Sequence, residues 1–147
     1  IKGIEKKELD FLYANPGIYT CAGAQIGATA LATVIKTLQV RDRTFDLDVY
    51  AGVIATRNDN DVINTITDLK DKIIGAADVV HLVAGQMQAY EMEKAGLSFV
   101  YDPKQVIFTN NQAEVVRGIL DGTFDVGFVQ TNQIEGTMGD NGALVDP

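Results

Sequence analysis

The chain has 147 residues, 46% hydrophobic and 22% charged, with a net charge of −8. That composition supports one folded domain with a substantial core and excludes a disordered class. The acidic balance without a basic stripe excludes nucleic acid as a partner, one His and one Cys exclude a zinc cluster, and no apolar run reaches the roughly 18 residues of a membrane span.

In chain order, residues 1–9 read as the end of a helix. Asp10 to Tyr13 predicts a short strand and Ala14 to Gly17 a turn, because proline fixes φ and Asn and Gly accept turn geometry. Ile18 to Ile26 reads as a weak helix. Within it, the single cysteine, Cys21, has no basic partner near it in sequence and reads as a small packed residue rather than a nucleophile. Ala28 to Leu38 is rich in β-branched residues and predicts a strand, broken at Arg41 to Arg43. Asp48 to Thr56 predicts a second strand paired with the first, the two crossing between parts of the fold. Arg57 to Asp61 is a polar turn. Thr65 to Asp68 resembles a capping box with Asp in place of Glu, opening a short helix from Thr67 to Lys70.

Lys72 to Ala76 predicts a buried strand, and a gap at Ala77-Asp78 leads to a helix from about His81 to Lys94, stopped at Ala95-Gly96. Asp102-Pro103 is a turn. Val106 to Phe108 is a short apolar run that suits a buried strand, followed by the polar turn Thr109 to Gln112. Val115, Val116, Ile119 and Leu120 then recur at helical spacing, and Gly122 stops that helix. Val126 to Val129 is another buried run, and Gln130 to Asn132 opens a further helix. Strand alternating with helix from Lys72 onward predicts an α/β fold with a mostly parallel sheet flanked by helices. Ligands of such sheets sit at the carboxyl ends of the strands, where both polar turns fall. Gly139 to Pro147 reads as a loop, and a start at Ile1 reads as a processed, trimmed or partial chain.

Four segments in this order resemble the phosphate/phosphonate-type solute-binding proteins of ABC transporters, especially variants joined to sensor kinases. They are Asp10 to Pro16 (DFLYANP), Gly52 to Arg57 (GVIATR) with Ile66 to Lys72 (ITDLKDK), Gln86 to Glu91 (QMQAYE), and Phe108 to Val129. The resemblance implies a periplasmic-binding-protein-like fold of type 2, read as one domain over 1–147. A partial first lobe spans about 1–50 and a nearly complete second lobe about 51–135, the family's opening strand-helix-strand unit being absent. It implies an extracytoplasmic location, or an organelle lumen for a repurposed subunit. It also implies a small anion such as phosphate or phosphonate between the lobes, and a protein partner: a transporter, a kinase or a multisubunit complex.

An anionic head needs hydrogen-bond donors and a positive end, which a helix N-terminus supplies. The resemblance places a hydroxyl-rich turn before the second lobe's first helix. The matching residues Ala77 to Gly85 contain no Ser or Thr, His81 falls near the expected Ser, and Asp78 would repel an anion. His81 reads as a donor or as a capping imidazole. Tyr13, Asn15 and Tyr19 read as a wall of the cleft or as turn and packing residues. Thr56 and Arg57 end a strand, and Arg57 either pairs an anion bidentately or is solvated beside Asp59 and Asp61. Thr109, Asn110, Asn111 and Gln112 form the best polar cluster, as helix caps or as ligand donors. Thr131 and Asn132 have the same two readings.

Catalytic motifs are absent: there is no Gly-x-Ser-x-Gly, no phosphate-cradling Gly-rich loop with Lys, and no His-Glu metal motif. The chain reads as a non-enzyme without catalytic residues, metal or cofactor. Two functions stay open: a solute-binding or sensor module for a small anion, and a structural or accessory subunit that kept the fold and lost the ligand.

Overall fold

The computed structural model describes residues 1–40 and 43–138. The elements run α1 (Lys2–Glu5), α2 (Pro16–Ile26), β1 (Lys36–Val40), β2 (Arg43–Leu47), β3 (Gly52–Ala55), β4 (Ile73–Ala76), α3 (Gln86–Lys94), β5 (Gln105–Phe108), α4 (Gln112–Leu120), β6 (Val126–Gln130) and α5 (Gln133–Thr137). Two 3₁₀ turns, Ile66–Leu69 and Leu82–Ala84, precede β4 and α3 respectively.

A four-stranded sheet has the order β3-β6-β4-β5. β4 runs parallel to both β5 and β6, while β3 is antiparallel to β6, with Gly52 opposite Gln130 and Ala55 opposite Gly127. The sheet is therefore mixed rather than uniformly parallel. Side chains alternate across a strand, so the inner strands feed two cores. On one face Leu69, Ile74, Ala76, Met92, Val126 and Phe128 pack together, and Phe99 stacks on Phe128 with ring centroids 6.0 Å apart. On the other, Val129 meets Val115, Val116 and Ile119 of α4. The helical spacing of those α4 residues is the reason this helix forms and lies where it does.

The α/β reading and the elements from Lys72 onward agree with the structure, with changed boundaries, except that the run Val106 to Phe108, expected to be buried, lies in the edge strand β5 with Phe108 exposed. The helix expected from His81 begins at Gln86, because the chain first closes a loop. In that loop His81 N–H donates to Asp78 O at 3.1 Å and Gln86 N–H to His81 O at 3.1 Å. Gly85 runs so close to the Asp78 carbonyl that a Cβ there would collide with it.

The N-terminal third differs more. Asp10 to Tyr13 has no regular structure: Phe11 and Tyr13 are exposed, and among the described residues no strand pairs with them to complete their backbone hydrogen bonds. The helix expected from Ile18 starts at Pro16 instead, where Asn15 Oδ1 accepts from Ile18 N–H at 2.9 Å and proline occupies the first turn, so the expected turn is a helix start. The strand expected over Ala28 to Leu38 is confined to β1. Its partner is β2 rather than Asp48 to Thr56, with Val40 opposite Arg43 and Lys36 opposite Leu47. Of the expected break, Arg43 opens β2, and residues 41 and 42 lie outside the described residues, as does the expected loop 139–147. β3, the remnant of the second expected strand, pairs with β6 instead. Two separate pairings thus replace the one expected pair of long strands.

The capping reading at Thr65 is realised in a 3₁₀ turn rather than an α-helix. Asp68 Oδ2 accepts from Asn64 N–H at 2.9 Å, Thr65 N–H at 2.8 Å and Thr65 Oγ1 at 3.0 Å. The Asn64 and Thr65 N–H groups, then the Thr65 hydroxyl, hold this carboxyl below the usual carboxylate range. A lowered folded-state pKa stabilises above the ordinary carboxylate pKa, and that stabilisation is lost as pH falls through the lowered value. Asp68→Ala is expected to lower the melting temperature by a few degrees at neutral pH. The gap to wild type should close as the pH is taken down through the Asp68 titration, and parallel melts at neutral and acid pH check it. A gap that stays constant into acid would refute the role of the carboxylate.

Candidate functional site

β4, β5 and β6 are parallel, so Ala76, Phe108 and Gln130 end at one edge of the sheet. Three loops meet there: residues 77–85, 109–111 and 131–132. β3 runs the other way, which brings its first residue, Gly52, to this edge and its end to the opposite one.

The loops are tied to one another by backbone and side chains. Thr109 N–H donates to Ala76 O at 3.0 Å and Asn110 N–H to Ala77 O at 2.8 Å. Thr109 Oγ1 donates to Asn111 O at 2.7 Å, and Asn111 Oδ1 caps α4 by accepting from Ala113 N–H at 2.9 Å. Asn110 is exposed in the left-handed region at φ 58°, a conformation that Asn tolerates better than most residues. Thr131 Oγ1 accepts from Ala51 N–H at 2.9 Å and donates to Ala51 O at 3.0 Å, so its hydroxyl is committed to the backbone.

Gln112 joins two of the loops. Its Oε1 accepts from Gln130 N–H at 2.7 Å, and its Nε2 lies 3.5 Å from His81 Nε2. Two buried side-chain nitrogens have no hydrogen-bond partner among the described residues, His81 Nδ1 and Asn132 Nδ2, and both belong to these loops. A buried polar atom without a partner is costly, so an acceptor reaching either nitrogen is strongly favoured.

Of the residues singled out in the sequence, His81, Thr109, Asn110, Asn111, Gln112 and Thr131 come together at this edge. Asn15 and the start of α2 lie close by, since a Cβ on Gly17 would stand 3.5 Å from Leu82 Cβ. Tyr13 is 86% exposed and Tyr19 is also on the surface. Thr56 and Arg57 are not part of this edge. Thr56 Oγ1 donates to Asp125 O at 2.8 Å, and Arg57 Nη1 donates to Leu120 O at 3.4 Å. Arg57 is also paired with Asp59, Nε donating to Oδ1 at 2.8 Å. That hydrogen-bonded pairing raises the arginine pKa and holds the Asp59 carboxyl below its usual range. The antiparallel course of β3 is what carries both residues away.

The residue that sequence reasoning missed is Gln88. It is 2% exposed, accepts from Gly85 N–H at 2.9 Å, and donates to Val83 O at 2.8 Å and Val129 O at 3.0 Å. It thereby fastens the 77–85 loop to β6. Its signal was a glutamine midway between Ala84 and Met92 at four-residue spacing, a polar residue in a buried helical stripe.

Two surface depressions stand out among the described residues, one away from this edge and one bordering the 77–85 loop. The larger, about 490 Å³, is at the opposite edge, lined by Arg57, Asp59, Asp61, Lys72, Lys104 and Asp125 among others. Its size does not make it the better site: Arg57 is neutralised by Asp59, and Asp125 Oδ2 already accepts from Ile73 N–H at 2.8 Å. The smaller, about 260 Å³, lies between Val79 and α3 against Ala89, Tyr90 and Phe99. Among the described residues no group of His, Cys, Asp and Glu is arranged to hold a metal ion, and no helix there is long and apolar enough to cross a membrane.

Compared with known proteins, residues 1–142 match a family model described as the periplasmic substrate-binding protein of phosphonate ABC transporters. No curated protein matches the chain.

Proposed function

The chain belongs to the periplasmic substrate-binding family of phosphonate ABC transporters, and from that premise we propose that it is an extracytoplasmic binding module for a small oxo-acid of the phosphonate or phosphate type. It holds the ligand at the carboxyl edge of β4, β5 and β6 and acts through binding rather than catalysis. Residues 51–135 form the lobe that carries this edge, and residues 1–50 belong to the facing lobe, with Asn15 and the start of α2 on its side of the site. The partner that reads the bound state is a transporter or a sensor protein.

The observation that carries this reading is the pair of buried, unpartnered nitrogens, His81 Nδ1 and Asn132 Nδ2, in loops that converge at one sheet edge. An oxo-acid is rich in acceptors and matches them. A second reading, an accessory subunit that no longer binds solute, draws on a different feature. Val79 and Val80 are 57% and 70% exposed beside Asp78, where a donor-rich turn would be expected.

Calorimetric titration of the full chain with inorganic phosphate, methylphosphonate and methanesulfonate separates the two. The binding reading expects saturable heat with at least one of them, abolished or strongly weakened in Asn132→Gly, which keeps the left-handed backbone at φ 72° and removes the amide. Absence of heat with all three favours the accessory subunit.

A further inference from the structure

The network at the carboxyl edge fixes more than the presence of donors. Gln112 Oε1 is occupied by Gln130 N–H, so the group Gln112 turns toward His81 is its NH₂. A donor facing His81 Nε2 at 3.5 Å favours that nitrogen as acceptor, with the imidazole proton on Nδ1, a tautomer assigned from the network. His81 in this arrangement presents a buried N–H at Nδ1, with no acceptor among the described residues. Asn132 Nδ2 is an uncharged donor.

Residues 77–85, 109–112 and 130–133 contain no Lys or Arg, and their one ionisable acid is Asp78. Asp78 Oδ1 accepts from Val80 N–H at 3.3 Å, which turns the carboxylate back onto its own loop. Arg57, Lys72 and Lys104 are at the opposite edge, around the larger depression.

Resting on the binding reading above, we infer that this site selects its ligand by charge: it takes a singly charged oxo-acid head, of the sulfonate or monoanionic phosphonate kind, and discriminates against the dianion. Neutral N–H donors satisfy oxygen lone pairs without neutralising charge. The desolvation cost of an ion climbs steeply with its charge, and Asp78 adds repulsion that a second negative charge doubles. The exposed Val79 and Val80 offer apolar surface to whatever substituent the head carries.

The test is calorimetric titration of the full chain with methanesulfonate and with methylphosphonate, each above and below the second ionisation of the phosphonate. The sulfonate stays singly charged throughout and reports any effect of pH on the protein itself. Methanesulfonate and monoanionic methylphosphonate are expected to bind alike, and the dianion roughly tenfold more weakly. Asp78→Asn keeps the Oδ1 acceptor for Val80 and removes the charge, so it should narrow that ratio. A dianion that binds as tightly as the sulfonate overturns charge selection and leaves the binding reading standing, and a ratio untouched by Asp78→Asn overturns the part assigned to Asp78. Absence of heat from both ligands at both pH values overturns the two together.

Discussion

Replacing Gln88 with methionine should lower the unfolding free energy by about 3 kcal/mol, the cost of stranding several buried backbone groups. Methionine matches the length of glutamine and fills the same space, so volume is not the cause. What it lacks is the amide that accepts from Gly85 N–H and donates to Val83 O and Val129 O, with Val53 O a longer third contact at 3.2 Å. Those groups belong to the 77–85 loop, β3 and β6, and no water can replace the amide in a site this buried. Urea denaturation of wild type and variant measures the difference. A loss under about 0.5 kcal/mol would mean that the backbone groups find other partners. Because the amide anchors the loop that carries Asp78 and His81, ligand heat should fall in the same variant under conditions where it remains folded.

The second large effect is expected at Gly127, in the inner strand β6. Its missing side chain is what lets α4 settle on the sheet: a Cβ there would collide with Ile119 Cδ1 and stand 2.7 Å from Val115 Cγ1. Both of those side chains are buried and β-branched, so neither swings aside cheaply. Gly127→Val should destabilise by about 3 kcal/mol through overpacking, and Gly127→Ala by less. Melting temperatures of the two variants check the ordering. An unchanged midpoint for the valine would show that α4 lifts without penalty.

How far the sequence carried the structure can be traced residue by residue. The helical stripe Val115, Val116 and Ile119 was legible because each is buried against one face of the sheet, so pattern and environment agree. The strands at Ile73–Ala76 and Val126–Gln130 were legible as apolar runs because both of their faces are covered. Partners were not legible. β3 and β6 are far apart in the chain, and nothing in Gly52 to Ala55 states that the strand runs against its neighbour. That one direction decided which end of β3 meets the site, and with it the fate of Thr56 and Arg57. β1 and β2 were blurred for another reason: the described side chains of β2 are largely exposed, so no alternation marks a buried face.

The polar turn Thr109 to Gln112 was visible, but the division of labour inside it was not. Thr109 and Asn111 spend their polar atoms on the turn and the helix cap, whereas Gln112 reaches across to Gln130 and His81. All three are polar residues in one turn; the extra reach of the Gln112 side chain separates it from the two that serve the turn and the cap.

The place of β6 in the sheet has a consequence for the order in which the protein can assemble. It is the last strand in the described chain, yet it lies between β3 and β4, and within that sheet it is the partner of β3. During synthesis β3 emerges some seventy-odd residues ahead of it, with its hydrogen-bonding edge unfilled. Contacts of such long sequence separation form slowly, and an open strand edge is a template for the wrong neighbour. The sheet can close only after residue 130 has left the ribosome, so a nascent chain halted before β6 should be captured by chaperones, and one halted beyond α5 should not.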